Sequence, residues 1–107
     1  MHNDDRHRWE AAKALLLAEH SRYLRTGGRE GALLDFSDSD LTRATFKGAT
    51  LRSASFEHSD LTNADFSASV FESAQFADSN FYRADFKGAR LTVAKLKGAR
   101  LNARYRL

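Results

Sequence analysis

The sequence predicts an all-β solenoid, a square coil stacked on itself, preceded by one helix. Two observations carry this. From Phe36 to Leu101 a large apolar residue returns every fifth position: Phe36, Leu41, Phe46, Leu51, Phe56, Leu61, Phe66, Phe71, Phe76, Phe81, Phe86, Leu91, Leu96 and Leu101. Two residues before nearly every one lies a small residue, from Ser39 and Ala44 through Ala94 and Ala99, with Leu34 the exception. A period of five fits neither a helix nor an ordinary strand. If the backbone turns a right angle once per pentapeptide, four repeats close a coil of about twenty residues, and successive coils pair about 4.8 Å apart. The apolar and small slots then point inward, where two side chains per edge must fill a narrow interior at crystal-like density. The other three slots face water.

The elements follow in order. Residues 1–30 read as an N-terminal helix with a Gly-rich turn, and residues 31–107 as the solenoid. Met1 to Asp5 look like a disordered start. A run of helix formers then extends from about Asp5 to Thr26, with Asp4 or Asp5 as its cap and Gly27-Gly28 as its stop. Trp9, Ala12, Leu16 and Tyr23 form an apolar stripe widened by Leu17 and Leu24. An end coil exposes core side chains and unpaired backbone, so the helix is expected to cap the first coil over Leu33, Leu34 and Phe36.

Residues twenty apart should stack into four internal ladders: Phe36, Phe56, Phe76 and Leu96; Leu41, Leu61, Phe81 and Leu101; Phe46, Phe66 and Phe86; Leu51, Phe71 and Leu91. Gly48, Gly88 and Gly98 share the slot two after the apolar residue, which marks it as a corner tolerating positive φ. The rhythm fails after Leu101, where the solenoid should end. Leu91, Leu96, Leu101, Tyr105 and Leu107 would leave the last coil poorly covered, an edge suited to a homodimer.

The segments Ala64-Asp65-Phe66, Ala84-Asp85-Phe86, Ser39-Asp40-Leu41, Ser59-Asp60-Leu61 and Ser79-Asn80-Phe81 carry the motif Ala-(Asp/Asn)-(Leu/Phe)-X-X, which resembles the pentapeptide-repeat family. The resemblance implies a right-handed quadrilateral β-helix, here of about three and a half coils. His20 to Gly31 resembles a leader found before the coils in small bacterial and phage members. The resemblance also implies that some members dimerise through C-terminal coils and that others protect DNA gyrase by imitating acidic DNA. The latter transfers poorly to a short column with a basic end.

With no cysteine among 107 residues, disulfides, thiolate nucleophiles and Cys-ligated metals are excluded. No apolar run approaches a membrane span or signal peptide, so a cytoplasmic protein is expected. Net charge is +3, but residues 1–34 balance at +1, residues 35–80 at −5 and residues 81–107 at +7. The basic end gathers Arg83, Lys87, Arg90, Lys95, Lys97, Arg100, Arg104 and Arg106, with Arg43, Asn63 and Tyr82 beside Arg83 on one face. It suits an acidic protein partner, or nucleic acid held electrostatically with Tyr82 or Tyr105 stacking on a base.

Asp38, His58 and Asp78 form the best polar constellation, one slot on consecutive coils, able to hold a proton or a metal weakly. A convex site with no third strong ligand reads better as a solvated ladder. No triad, phosphate loop or paired catalytic carboxylates occur, so no enzymatic activity, cofactor or small-molecule substrate is expected. The function expected is a structural scaffold or protein-interaction module. The alternative is a nucleic-acid- or topoisomerase-associated modulator acting through the basic coils.

Overall fold

The computed structural model describes residues 3–91, 98 and 99, with side chains described from Arg8 onward. The chain divides into two compact units, Met1–Leu34 and Asp35–Leu107.

The first unit holds helix α1, Asn3–Arg25. It starts earlier than its composition suggests, so Asp4 and Asp5 lie inside its first turn and neither serves as the cap. At its end the Gly28 N–H donates to the Tyr23 carbonyl at 2.9 Å, with Gly27 at φ 64°, the wrap-back of a Schellman stop. The chain then turns and runs back along the helix. The Ala32 N–H donates to the Glu19 carbonyl at 3.1 Å, and the Leu34 N–H donates to His20 Nδ1 at 2.9 Å. Gly31 permits this approach: a Cβ there would collide with the Glu19 carbonyl and lie 2.7 Å from the Tyr23 nitrogen.

The buried side of α1 differs from the expected stripe. Lys13 and His20 are buried, Trp9, Leu17, Tyr23 and Leu24 are partly buried, while Ala12 and Leu16 are exposed. Positions 9, 13, 17, 20 and 24 trace one row at steps of three and four, the period of a helix. Hydropathy alone passed over Lys13 and His20 because both are polar. A buried polar residue needs partners, and His20 has one in Leu34. No helix among the described residues is long and apolar enough to cross a membrane.

The second unit is the coil, with a repeat of twenty. Parallel bridges join Asp35 to Ser55 to Gln75, Asp40 to Asp60 to Asn80, Thr45 to Asp65 to Asp85, and Thr50 to Val70 to Arg90. Four bridged edges per turn make the coil four-sided. The pairing is by single bridges and not by extended strands, because each edge surrenders two of its five residues to a corner. Inter-coil bonds such as Phe66 N–H to the Asp85 carbonyl at 2.8 Å and Asp65 N–H to the Ala44 carbonyl at 2.9 Å run in both directions, so a middle coil has few orphaned backbone groups.

The apolar slot is buried from Phe36 to Phe86, and Leu91 is half-buried. Leu34 is buried, whereas Leu33 is 42% exposed. The rings stack along two opposite edges: Phe46 on Phe66 at 5.2 Å and 5°, Phe66 on Phe86 at 5.4 Å and 11°, Phe56 on Phe76 at 5.2 Å and 8°. Across the interior the two edges meet edge-on, as Phe56 with Phe66 at 5.7 Å and 85°. Parallel offset rings up a ladder and T-shaped contacts across it are both favoured by the ring quadrupole. Where the small slot is serine, its hydroxyl is satisfied by backbone: Ser79 Oγ donates to the Phe76 carbonyl at 2.6 Å, and Ser59 Oγ donates to the Phe36 carbonyl. The expected ladder members Leu96 and Leu101 lie outside the described residues.

Candidate interaction surface

Three slots of each repeat face outward, and the backbone fixes each one. In six repeats the residue just before the apolar position is Asp or Asn, and its side-chain oxygen accepts from the N–H two residues on. Examples are Asp35 with Ser37 at 2.9 Å, Asp65 with Ser67 at 2.9 Å, Asn80 with Tyr82 at 3.0 Å and Asp85 with Lys87 at 2.9 Å. This is the Asx-turn, in which a side chain stands in for a backbone acceptor and starts the corner. The bonds hold three carboxyls below their ordinary value. For Asp35 the main cause is the Ser37 backbone N–H; for Asp40 and Asp65 it is the hydroxyl of Thr42 or Ser67.

The corner is completed two residues after the apolar position. The Leu41 carbonyl accepts from the Ala44 N–H at 2.9 Å, with positive φ at Arg43, the signature of a type II turn. The expectation that this slot tolerates positive φ rested on glycines; in fact Asp38, Arg43, Ser53, His58, Asn63, Ala68, Ser73, Asp78 and Arg83 adopt φ from 54° to 65° as well. Each left-handed L residue costs roughly 1–2 kcal/mol. The N–H groups at these corners help hold them there, as Arg43 to the Thr62 carbonyl and Ala68 to the Lys87 carbonyl, both 2.9 Å. The outward side chains therefore project from a stiff frame with one direction per slot.

On the face of the Leu41, Leu61 and Phe81 ladder, Arg43, Asn63 and Arg83 are exposed at successive corners. Arg83 lies over the Tyr82 ring at 5.2 Å from its centroid, and Tyr82 is 47% exposed. Lys87 and Arg90 are also exposed. The remaining basic candidates, Lys95, Lys97, Arg100, Arg104 and Arg106, lie outside the described residues. So do Leu96, Leu101, Tyr105 and Leu107 of the expected dimer edge. On the face of the Leu51 and Phe71 ladder, Arg52 Nε pairs with Glu72 Oε2 at 3.3 Å. On the face of the Phe36, Phe56 and Phe76 ladder, His58 Nδ1 stands 3.8 Å from Asp78 Oδ2, both more than half exposed. Among the described residues, no group of three His, Cys, Asp or Glu side chains is placed to hold a metal.

Sequence models of pentapeptide repeats match residues 34–67 in eight copies and residues 51–102 in nine. The chain belongs to the pentapeptide-repeat family. No curated protein matches it. Among solved structures, pentapeptide-repeat proteins of cyanobacteria and a plant are similar. The alr5209 protein of Nostoc Pcc 7120 shares 21% identity over 79% of this chain and 74% of its own, with a TM-score of 0.38. Rfr23 of Cyanothece 51142 shares 18% over 72% and 66%, with a TM-score of 0.43. AT2G44920 of the Arabidopsis thaliana thylakoid lumen shares 27% over 65% and 66%, with a TM-score of 0.31. Membership in this pentapeptide-repeat family rests on the repeat, not on these overlays.

Proposed function

We propose that this pentapeptide-repeat protein is a non-enzymatic interaction module, displaying fixed side chains on a right-handed quadrilateral coil of about three and a half turns. The observation that carries the reading is the division of labour within each repeat. Two slots fill the interior with rings in contact, and three are presented outward on hydrogen-bonded corners. Binding to such a frame needs little ordering of the protein side, which lowers the entropic cost of association. The partner is a protein whose surface complements one face.

The test is cross-linking capture from the source cell with face variants that leave the core untouched, such as Arg52→Glu with Glu72→Arg, or Arg43→Glu with Arg83→Glu. The expected result is a captured protein lost with one face and kept with the others. Capture that is indifferent to every face would refute the proposal.

A second reading is favoured by Arg83 over the half-exposed Tyr82 ring on the face that also carries Arg43. A cation beside an aromatic platform suits a nucleic-acid backbone and base, including in a topoisomerase-associated role. A titration against single- and double-stranded DNA at rising salt decides it. Binding that weakens log-linearly with salt, and weakens further in Arg83→Ala, supports this reading; no binding at low ionic strength eliminates it.

A further inference from the structure

Helix α1 has two unlike sides. One carries the buried Lys13 and His20. The other is exposed yet almost free of charge through its middle: Ala11, Ala12, Ala18 and Leu15, the last at 70% exposure. The only charged residue between Glu10 and Glu19 is Lys13, whose side chain is 9% exposed and pairs with Glu10 at 2.9 Å. The outer face of a surface helix is ordinarily its polar face.

We propose that this face is a homodimerisation surface, on which α1 of a second copy packs antiparallel with the two Leu15 side chains meeting at the two-fold axis. At 3.6 residues per turn, Arg8, Leu15 and Arg22 lie almost in line, with Ala11 and Ala18 along one flank and Ala12 and Glu19 along the other. A two-fold axis through the Leu15 contact keeps each flank facing its own kind and reverses its direction. Glu19 thereby comes beside Arg8 of the second copy, at both ends of the pair. The alanines let the helices approach closely.

Charge selects this partner and this orientation. Arg22 is already flanked by Glu19 at 3.7 Å and Glu30 at 3.4 Å in its own chain. Each end of the pair would thus hold two arginines against two glutamates. A parallel pair would set Arg8 on Arg8 and Glu19 on Glu19. The contact is small, so a weak dimer is expected, with a dissociation constant on the order of 10–100 µM. The proposal uses the first unit alone, so it stands or falls separately from the reading of the coil faces.

The chain has no cysteine, which makes the test clean. Sedimentation of the full chain from about 5 to 500 µM should show a monomer–dimer equilibrium in this range. Leu15→Glu, or Ala18→Glu if the first variant loses its helical circular dichroism, should weaken it at least tenfold. Glu19→Arg should weaken it, and Arg8→Glu combined with Glu19→Arg should restore it. Under mild oxidation Leu15→Cys should form a disulfide dimer at least tenfold faster than Thr42→Cys, an exposed site on the coil. A monomer at every concentration, a dimer indifferent to Leu15→Glu and Ala18→Glu, or cross-linking at Leu15→Cys no faster than the control would overturn the proposal.

Discussion

Replacing Phe66 by alanine probes the middle of the column. The ring is fully buried. It stacks on Phe46 at 5.2 Å and on Phe86 at 5.4 Å, and meets Phe71, Phe56 and Phe76 edge-on at 4.9, 5.7 and 6.3 Å. Transfer of a buried aromatic side chain contributes about 1.5–3 kcal/mol, and aromatic pairs add about 0.5–1.5 kcal/mol each, less than additively when they share one ring. Emptying such sites costs about 3–5 kcal/mol. Here the cost should fall near the top of that range, because the bridged edges around the vacancy cannot close in. At about 4–8 °C per kcal/mol for a small domain, a cost near the top of that range should lower the melting temperature by roughly 16–40 °C. Far-UV circular dichroism melts measure it, with Phe66→Leu as the control. Leucine fills the same slot at Leu51 and Leu61, so that variant should lose far less. A Phe66→Ala shift under about 5 °C would show that residue 66 does not sit in the packed interior.

Three further outcomes follow from the same geometry. Ala68→Gly should raise stability by up to about 1 kcal/mol, since glycine relieves the left-handed corner at φ 56° while giving back part of the gain as unfolded-chain entropy; a chemical-denaturation midpoint that falls would refute it. Gly31→Ala should destabilise the return of the chain along α1 by more than about 1–2 kcal/mol, the bare cost of left-handed φ, because backbone atoms of Glu19 and Tyr23 occupy the space of the new Cβ; unchanged amide-exchange protection at Ala32 and Leu34 would contradict this. The Asp35, Asp40 and Asp65 carboxyls titrate lower in the folded chain than in the unfolded one. Their contribution is therefore complete above the unfolded value and is lost as pH falls through the folded values, below about pH 4. Asparagine keeps the turn acceptor without the charge, so Asp35→Asn/Asp40→Asn/Asp65→Asn should flatten the acid limb of the melting profile; an unchanged limb would show that these bonds do not supply it.

The coil was legible because one chemical demand recurs at each edge. A side chain such as Phe56 or Ala54 must enter a space too narrow for variation, and the demand shows as a period of five. The corners were half legible. Gly48 and Gly88 advertised positive φ, but Arg43 and Ala68 adopt it silently, since the inter-coil hydrogen bonds that hold them there involve only backbone. The Asp and Asn slot was visible as a motif, yet its reason, the bond from Asp65 to the Ser67 N–H, becomes apparent only once the turn is seen. In α1 the apolar stripe misled, for Leu16 is exposed while His20 is buried. What buries His20 is a hydrogen-bond partner fourteen residues away in sequence, Leu34, and no local pattern records such a pairing. The surface is least legible, because outward residues such as Tyr82 and Arg83 are free of the constraints that shape the core.

The central claim is that residues twenty apart are neighbours, since every face, ladder and corner follows from that register. The absence of cysteine allows a direct test by disulfide trapping. Coils stacked about 4.8 Å apart place bridged residues within disulfide reach. The pair Ser55→Cys/Gln75→Cys, which replaces two residues bridged across adjacent coils, should cross-link within one chain rapidly and without loss of stability. The pair Ser55→Cys/Val70→Cys, fifteen apart, should not. Equal trapping of both pairs, or trapping of the second alone, would contradict the coil.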